Sequence, residues 1–337
     1  KRGGLFYGSE ICREISVFLP NLLASTKKIC YYEKRRKNGE QTMIRYNILN
    51  IAAGQGGAGR EKTPCGIDYY TKCEKDARVF VAQRCRTEEE PLLFCVYGGD
   101  GTVNEVVGGI LDANAADRAS IAIAPVGTGN DFYRMLYGAL AEKNGELFAD
   151  VITCNDSYAV NMINIGFDCN VVEKTATLKK LPGVSGSLAY VLGVGNVLLH
   201  KLCRTLKIRY LNKAGIEQVY EGETLLCAIA NAPYCGGGFC AAPAAKCDDG
   251  LIDLMIIRRV SRARFLSLVK GYRDGLHVGA DDCTVAKRFA DVIEYHRCSY
   301  IEVEGMEKIC TDGEVFPCTH AEIGILPRAV RFVRADA

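Results

Sequence analysis

From Leu92 to Ile110 the chain runs apolar, breaks on glycine and resumes with helical spacing. Leu92 to Tyr97 is uncharged and rich in β-formers, the pattern of a strand covered on both faces. Beyond Gly98, Gly99 and Gly101, the apolar residues Val103, Val106, Val107 and Ile110 recur on one helical face, and Thr102 and Glu105 have the spacing of a capping box. The same order returns at Ser120 to Pro125, an apolar strand followed by Gly127, Gly129 and a helix opening near Asn130 or Asp131. Roughly thirty residues separate the two strands, the span of a βαβ unit. Two glycine turns therefore fall side by side at the carboxyl ends of adjacent parallel strands, where open α/β sheets bind ligands. Met43 to Ile51 reads as the natural first strand, and Asp76 to Cys85 as a helix feeding Leu92.

Beyond about Asp150 the texture changes to short alternating segments with turns. Tyr158 to Ile165, Leu206 to Leu211, Thr224 to Asn231, Leu251 to Ile257 and Tyr300 to Glu304 read as strands, with helices at Leu188 to Leu202 and Arg262 to Leu276. The pattern predicts an N-terminal α/β domain with a parallel sheet over residues 43–155, and a C-terminal antiparallel β-sandwich over residues 156–316. Residues 317–337 are expected to return to the first domain. Residues 1–42, with one amphipathic stretch at Ile11 to Leu23 and the basic cluster Lys34 to Lys37, are expected to lie outside the fold.

Composition narrows the function. A length of 337 residues favours two domains. Lysine and arginine total 42 against 40 acids, a net charge of +2 that gives no electrostatic case for nucleic acid. Seventeen cysteines, odd in number, scattered and without a Cys-x-x-Cys pair, argue for reduced thiols in a cytoplasmic protein and against a disulfide framework or zinc ribbon. The longest uncharged run, Leu181 to His200, is interrupted by Pro182, Gly183, Gly186, Gly193, Gly195 and Asn196, so a buried or interfacial helix is expected there and no transmembrane segment. No secretory leader is expected.

The glycines at 98, 99 and 101 admit backbone N–H groups to an anion at a helix start. Asp100 among them would repel a phosphate unless it held a metal ion or a proton, which suggests phosphoryl transfer. Gly54, Gly56 and Gly59 match the dinucleotide pattern, but Pro64 and Gly66 arrive where that fold needs a helix, so a loop near ATP phosphates is the better reading. Asp312 and Glu314 flank Gly313 and provide two carboxylates suited to a general base and a metal contact; the plain alternative is a hairpin turn. Lys246 to Asp253 concentrates hard oxygen ligands in Asp248, Asp249, Asp253 and the intervening carbonyls, and the plain alternative is again a turn.

Taken in order, Gly98 to Glu105, Pro125 to Phe132, Asn164 to Asp168, Gly236 to Pro243 with Asp248 to Leu251, and Asp312 to Glu314 resemble the diacylglycerol kinase catalytic-domain family, in its bacterial soluble lipid-kinase branch of the sphingosine kinase-like superfamily. The resemblance covers about Met43 to Val333. It implies a Rossmann-like α/β domain of the phosphofructokinase and NAD kinase kind, a β-sandwich domain, and a cleft where ATP, Mg²⁺ and a lipid hydroxyl meet. By this resemblance Gly98, Gly99, Gly101, Thr102, Val103, Asn104, Glu105 and Thr128 contact ATP, and Asn50, Gly54, Gln55, Gly56 and Thr71 complete its site. The proton acceptor lies in the Asp312–Glu314 motif, with Glu314 favoured, while Asp100 orients the hydroxyl or holds the catalytic Mg²⁺. A second, structural Mg²⁺ is implied at Asp248, Asp249, Leu251 and Asp253. The stretch from Tyr190 to Leu202 lines the lipid entrance or is plain core.

The chain departs from the family at Ile51, where the pattern has proline, and in the shortened piece from Gly59 to Ile67. Those departures motivate one alternative, a catalytically inactive nucleotide- or lipid-binding regulator. An NAD kinase-like small-molecule kinase is the other, although Asn104 and Glu105 here are fused to the glycine turn. The expected setting is cytoplasmic and peripheral at the inner face of the membrane, with a lipid substrate at its surface and a homodimer left open.

Overall fold

Every position of Leu92–Gly98 is buried, as an unbroken apolar run requires. A computed structural model describes residues 31–34, 41–53, 63, 65–127, 129–178, 203–280 and 283–334. Its first half contains β1 (Tyr31–Lys34), β2 (Gln41–Leu49), β3 (Ile67–Tyr70), α1 (Asp76–Thr87), β4 (Leu92–Gly98), α2 (Asp100–Asp112), β5 (Ala119–Pro125), α3 (Asp131–Glu142) and β6 (Glu146–Cys154). Then follow β7 (Ser157–Ala159), β8 (Met162–Gly166), α4 (Phe167–Leu178), β9 (Arg204–Asn212), β10 (Glu217–Ala230), β11 (Tyr234–Cys235), β12 (Phe239–Cys240) and β13 (Ile252–Arg258). The chain closes with α5 (Arg262–Arg273), β14 (Ile293–Glu304), β15 (Lys308–Thr311), β16 (Glu314–Pro317) and β17 (His320–Val333).

β3, β2, β4 and β5 run parallel, with Ile44 opposite Leu92 and Leu92 opposite Ala119. α1, α2 and α3 cover this sheet through Val81, Val106, Val107, Ile110, Phe132 and Leu136, which meet Ile48, Phe94 and Val96 in one core. Each such side chain withdrawn from water contributes about 1.5–3 kcal/mol. α1 and α2 touch at Gly109, where a Cβ would stand 2.6 Å from the Arg78 carbonyl oxygen, and Arg78 clasps Asp112 at 2.7 and 2.8 Å.

The second half is antiparallel. β14, β13, β10, β8, β15 and β16 follow one another by hydrogen bonding, and β9 pairs with both β10 and β14. Ile163, Ile208, Ile229, Leu254, Ile301 and Ile323 fill the space enclosed. The architecture expected from the sequence is therefore found: a parallel α/β layer followed by a β-sandwich.

β17 serves both halves. It pairs antiparallel with β14 from His320 to Gly324, parallel with β5 at Arg331 and Phe332, and antiparallel with β6 from Ile323 to Val333. A register shift between Leu326 and Val330, with Arg328 at φ 52, bends the strand between the two pairings. All of this joins into one fifteen-stranded hydrogen-bonded sheet.

Several expectations change. Tyr158 to Ile165 is two strands, interrupted at Val160 and Asn161 because their amides go to Asp312 instead of a neighbouring strand. β3, β6, β15, β16 and β17 had not been read as strands. β1 falls inside the expected extension yet pairs with β2, Tyr31 opposite Ile44. The stretches Ile11 to Leu23, Gly54 to Gly59 and Leu188 to Leu202 lie outside the described residues. No helix among the described residues is long and apolar enough to cross a membrane.

Behind β10, His277 is fully buried between Tyr272 and Phe289, with Nε2 3.1 Å from the Ala241 carbonyl. Burial pushes its pKa down to about 4 from 6.5. Between those values the unfolded chain takes up a proton that the folded chain refuses, so His277 costs stability as pH falls through this window, by up to about 3 kcal/mol. Urea midpoints at pH 7 and 4.5 should fall further apart for the native chain than for His277→Gln.

Candidate functional site

The glycine turn after β4 opens α2 on Gly99, an extended residue at the N-cap, and no side chain caps this helix end. The first amides of α2 therefore remain available to an anion. Gly101 has open space where a side chain would be. Gly127 of the second turn lies against Gly99 so closely that a Cβ on Gly127 would be 2.4 Å from the Gly99 Cα. The two glycine turns thus meet backbone to backbone, which no larger residue permits. Gly98 is held in the same way, since a Cβ there would overlap the Thr102 hydroxyl at 2.5 Å.

The carboxylates around the turns face other helices. Asp100 accepts N–H groups from Asp131 at 3.0 Å and Phe132 at 3.1 Å, capping α3. Glu105 accepts from Lys75 at 2.9 Å and Ala77 at 3.0 Å, capping α1. The expected capping box within α2 is therefore not formed: Thr102 accepts from the Asn50 side chain at 2.9 Å, and Glu105 has turned to the neighbouring helix. Both carboxylates gain from the positive end of a helix dipole, so the apparent conflict between Asp100 and an anion turn is met by direction. Asn130, at φ 52, spends its side chain on the Gly127 carbonyl at 2.8 Å.

Asp312 and Gly313 form the two-residue turn between β15 and β16, at φ 47 and φ 94, the conformation Asp-Gly favours in hairpins. The hairpin alternative is therefore realised, and the turn also reaches the α/β domain. The Asp312 carboxylate accepts from Val160 at 2.7 Å, Asn161 at 3.1 Å, Met162 at 2.8 Å and the Asn104 amide at 2.8 Å. Burial raises its pKa against these four donors, which favour the charged form. Asn104 also donates to the Tyr158 carbonyl at 2.8 Å, so one side chain of α2 holds both β7 and the Asp312 turn. Glu314 is exposed beside this anchor. Desolvation raises its carboxyl, Glu74 and Glu105 raise it further, and Lys75 opposes them.

Asn50 and Thr71 come to the same edge of the sheet, Thr71 donating its amide to the Leu49 carbonyl at 3.0 Å. Val103 packs in the core, which leaves only its backbone to the turn. Gly54, Gln55, Gly56 and Thr128 lie outside the described residues. Sequence reading passed over Asp131 as a helix start. It is only 4% exposed, one oxygen accepts from Gly237 at 2.7 Å, and the other has no hydrogen-bond partner. Burial raises its carboxyl, and the neighbouring Asp100 adds to the shift.

The acidic turn before β13 is arranged differently. Asp248 pairs with Lys143 at 2.8 Å. Asp249 pairs with Arg297 and accepts the Leu251 amide at 3.1 Å. Asp253 is fully buried, meets Tyr295 and Arg297, and burial pushes its pKa up to about 7, with Arg297 opposing. Two basic side chains thus stand against three carboxylates, with one Asp253 oxygen buried and without a hydrogen bond, and a Mg²⁺ ion here would have to displace Lys143 and Arg297 from Asp248 and Asp249. Asp150, missed by the sequence reading, lies buried next to the turn and accepts amides of Gly250 and Arg328 at 2.7 Å each.

Comparison with known proteins agrees with this fold. Residues 66–165 match the family described as "Diacylglycerol kinase catalytic domain", and residues 161–334 match "YegS C-terminal NAD kinase beta sandwich-like domain". A "Probable lipid kinase YegS-like" of Chromohalobacter salexigens is 30% identical over 66% of this chain and 69% of its own length. The "Diacylglycerol kinase" of Bacillus subtilis is 32% identical over 62% of this chain and 69% of its own. A crystal structure of a diacylglycerol kinase from Bacillus anthracis superposes with a TM-score of 0.59 at 22% identity, covering 86% of this chain and 96% of that one, a likeness of fold.

The Asp312 and Glu314 carboxylates should respond differently to amidation. Asp312→Asn turns an NH₂ group toward backbone donors and should lower unfolding stability by about 1–3 kcal/mol in urea titrations, whereas Glu314→Gln should leave the midpoint within ~0.5 kcal/mol.

Proposed function

The chain belongs to the diacylglycerol kinase catalytic-domain family with a YegS-type C-terminal domain, and from that membership we propose that it transfers the γ-phosphoryl group of ATP to the hydroxyl of a diacylglycerol-like lipid drawn from a membrane surface. The observation that carries this reading is the 2.8 Å bond from Asn104 to Asp312, which ties the uncapped end of α2 to the turn bearing Glu314. This bond supports a reading in which an uncapped helix start and a carboxylate of raised pKa act together.

In this mechanism the amides of Gly101 and Thr102 receive the phosphates, and the open space at Gly101 leaves room for the chain of oxygens. Glu314 takes the proton of the lipid hydroxyl as its oxygen attacks phosphorus and ADP leaves. Asp312, saturated by four donors, positions the turn and has no part in the proton transfer. The Mg²⁺ carried by the nucleotide neutralises charge on the transferred group when bound. Asp131, whose second oxygen accepts no hydrogen bond and lies 3.8 Å from the Arg134 guanidinium, would be the carboxylate to hold the ion beside the glycine turns.

A radiolabelled-ATP assay over a lipid panel tests this. Glu314→Gln should lower kcat by about 10²–10⁴-fold while the KM for ATP stays within about twofold. The acid limb of kcat/KM should lie above the usual glutamate value of 4.5, since the free enzyme's Glu314 must lose a raised proton before it can accept another. ATP consumption that no lipid stimulates would favour the regulator instead.

A further inference from the structure

The exposed positions of α5 include Arg262, Leu266, Lys270 and Arg273, spaced i, i+4, i+8 and i+11, which places them on one stripe. Leu266 is 62% exposed, and Leu276, just beyond the C-cap Asp274, is 66% exposed. The helix sequence Arg-Ala-Arg-Phe-Leu-Ser-Leu-Val-Lys-Gly-Tyr-Arg contains no acid. Among the described residues, Asp291 is paired with Arg264 at 2.7 Å, and Asp274 stands at the helix end. Arg288 extends the cationic surface, donating to the Ser267 carbonyl. Arg262, Lys270, Arg273 and Arg288 thus form a basic surface, with Arg273 lying over the Phe239 ring, beside two leucines left in water.

The leucines cannot roll inward. Leu268 and Gly271 occupy the buried face, and a Cβ on Gly271 would come 2.9 Å from the Phe289 ring. Phe265 packs on Phe167 of α4 with centroids 5.2 Å apart, and Glu173 of α4 pairs with Lys308 of β15 at 2.5 Å. The stripe is therefore rigidly presented, and α4 connects it to the hairpin that carries Glu314. Leucines flanked by basic side chains suit the boundary of a bilayer, the leucines entering among acyl chains while the cations meet anionic headgroups.

We infer that α5 and the Leu276 turn form the face by which this protein lies on an anionic lipid bilayer. The inference deepens the kinase reading, which requires an acceptor drawn from a membrane, and names the surface that makes the approach. The charge complementarity favours an anionic lipid surface, because Leu266 lies on the same stripe as Arg262, Lys270 and Arg273 and the helix carries no acid.

Cosedimentation with vesicles of phosphatidylglycerol and phosphatidylcholine tests the face without reference to turnover. The full chain should bind these vesicles, lose binding as salt rises, and bind phosphatidylcholine alone much more weakly. Lys270→Glu with Arg273→Glu should weaken binding at least about tenfold, as should Leu266→Ser with Leu276→Ser, while Lys213→Glu, on an exposed distant hairpin, should not. Melting temperatures should match across all variants, and turnover of a short-chain, water-dispersed diacylglycerol should be unchanged. Binding equal in native and stripe variants, or no binding to anionic vesicles, overturns the inference. Binding lost in the stripe variants of a chain that phosphorylates no lipid upholds the docking face and overturns the kinase reading alone.

Discussion

The Asp312 carboxylate is the constraint from which the cleft follows. Three of its four donors are the consecutive backbone amides from Val160 to Met162, where β7 passes into β8, and the fourth is the Asn104 side chain of α2. A buried carboxylate without such partners would cost several kcal/mol. With them, it holds a strand break open in the sandwich and binds the first turn of a helix in the other layer. Charge-assisted hydrogen bonds are short and directional, so they fix position more tightly than apolar contact between the same elements would.

Helix ends extend the same logic. Asp100 and Glu105 sit in the first turns of α2 but cap α3 and α1. Three helices are thereby registered to one another at the edge where the parallel strands end, and α2 is the one whose own terminus stays uncapped. At that edge the first amides of α2 have no side-chain partner, while Asp100 and Glu105 spend their oxygens on the neighbouring helices. Asp100 can stand in this glycine turn because its oxygens are taken by the amides that open α3.

β17 gives the cleft its rigidity. Because one strand pairs with β14 at one end and β5 at the other, the two layers share backbone hydrogen bonds as well as side-chain contacts. Closure by a hinge between layers would have to bend that strand, and its register shift near Arg328, beside the amides held by Asp150, is where such bending is easiest. The hydrogen bonds from Gly250 and Arg328 to one buried carboxylate link the acidic turn to that point.

The sequence alone determined the βαβ unit, the adjacent glycine turns, the change to antiparallel texture and the family, because each depends on periodicity or on residues close along the chain. It also singled out the carboxylates at 100, 105, 312 and 314. Tertiary structure decided what each one does. Asp100 finds its donors about thirty residues away and Asp312 about one hundred and fifty, and no local pattern records a partner at that distance. Tyr158 to Ile165 shows the same limit, since its alternation suits one strand and only the arrival of Asp312 divides it. Asp131 and Asp150 look like ordinary helix-start and strand residues until folding buries them, and β17 becomes legible as a shared strand only when both of its neighbours are in place.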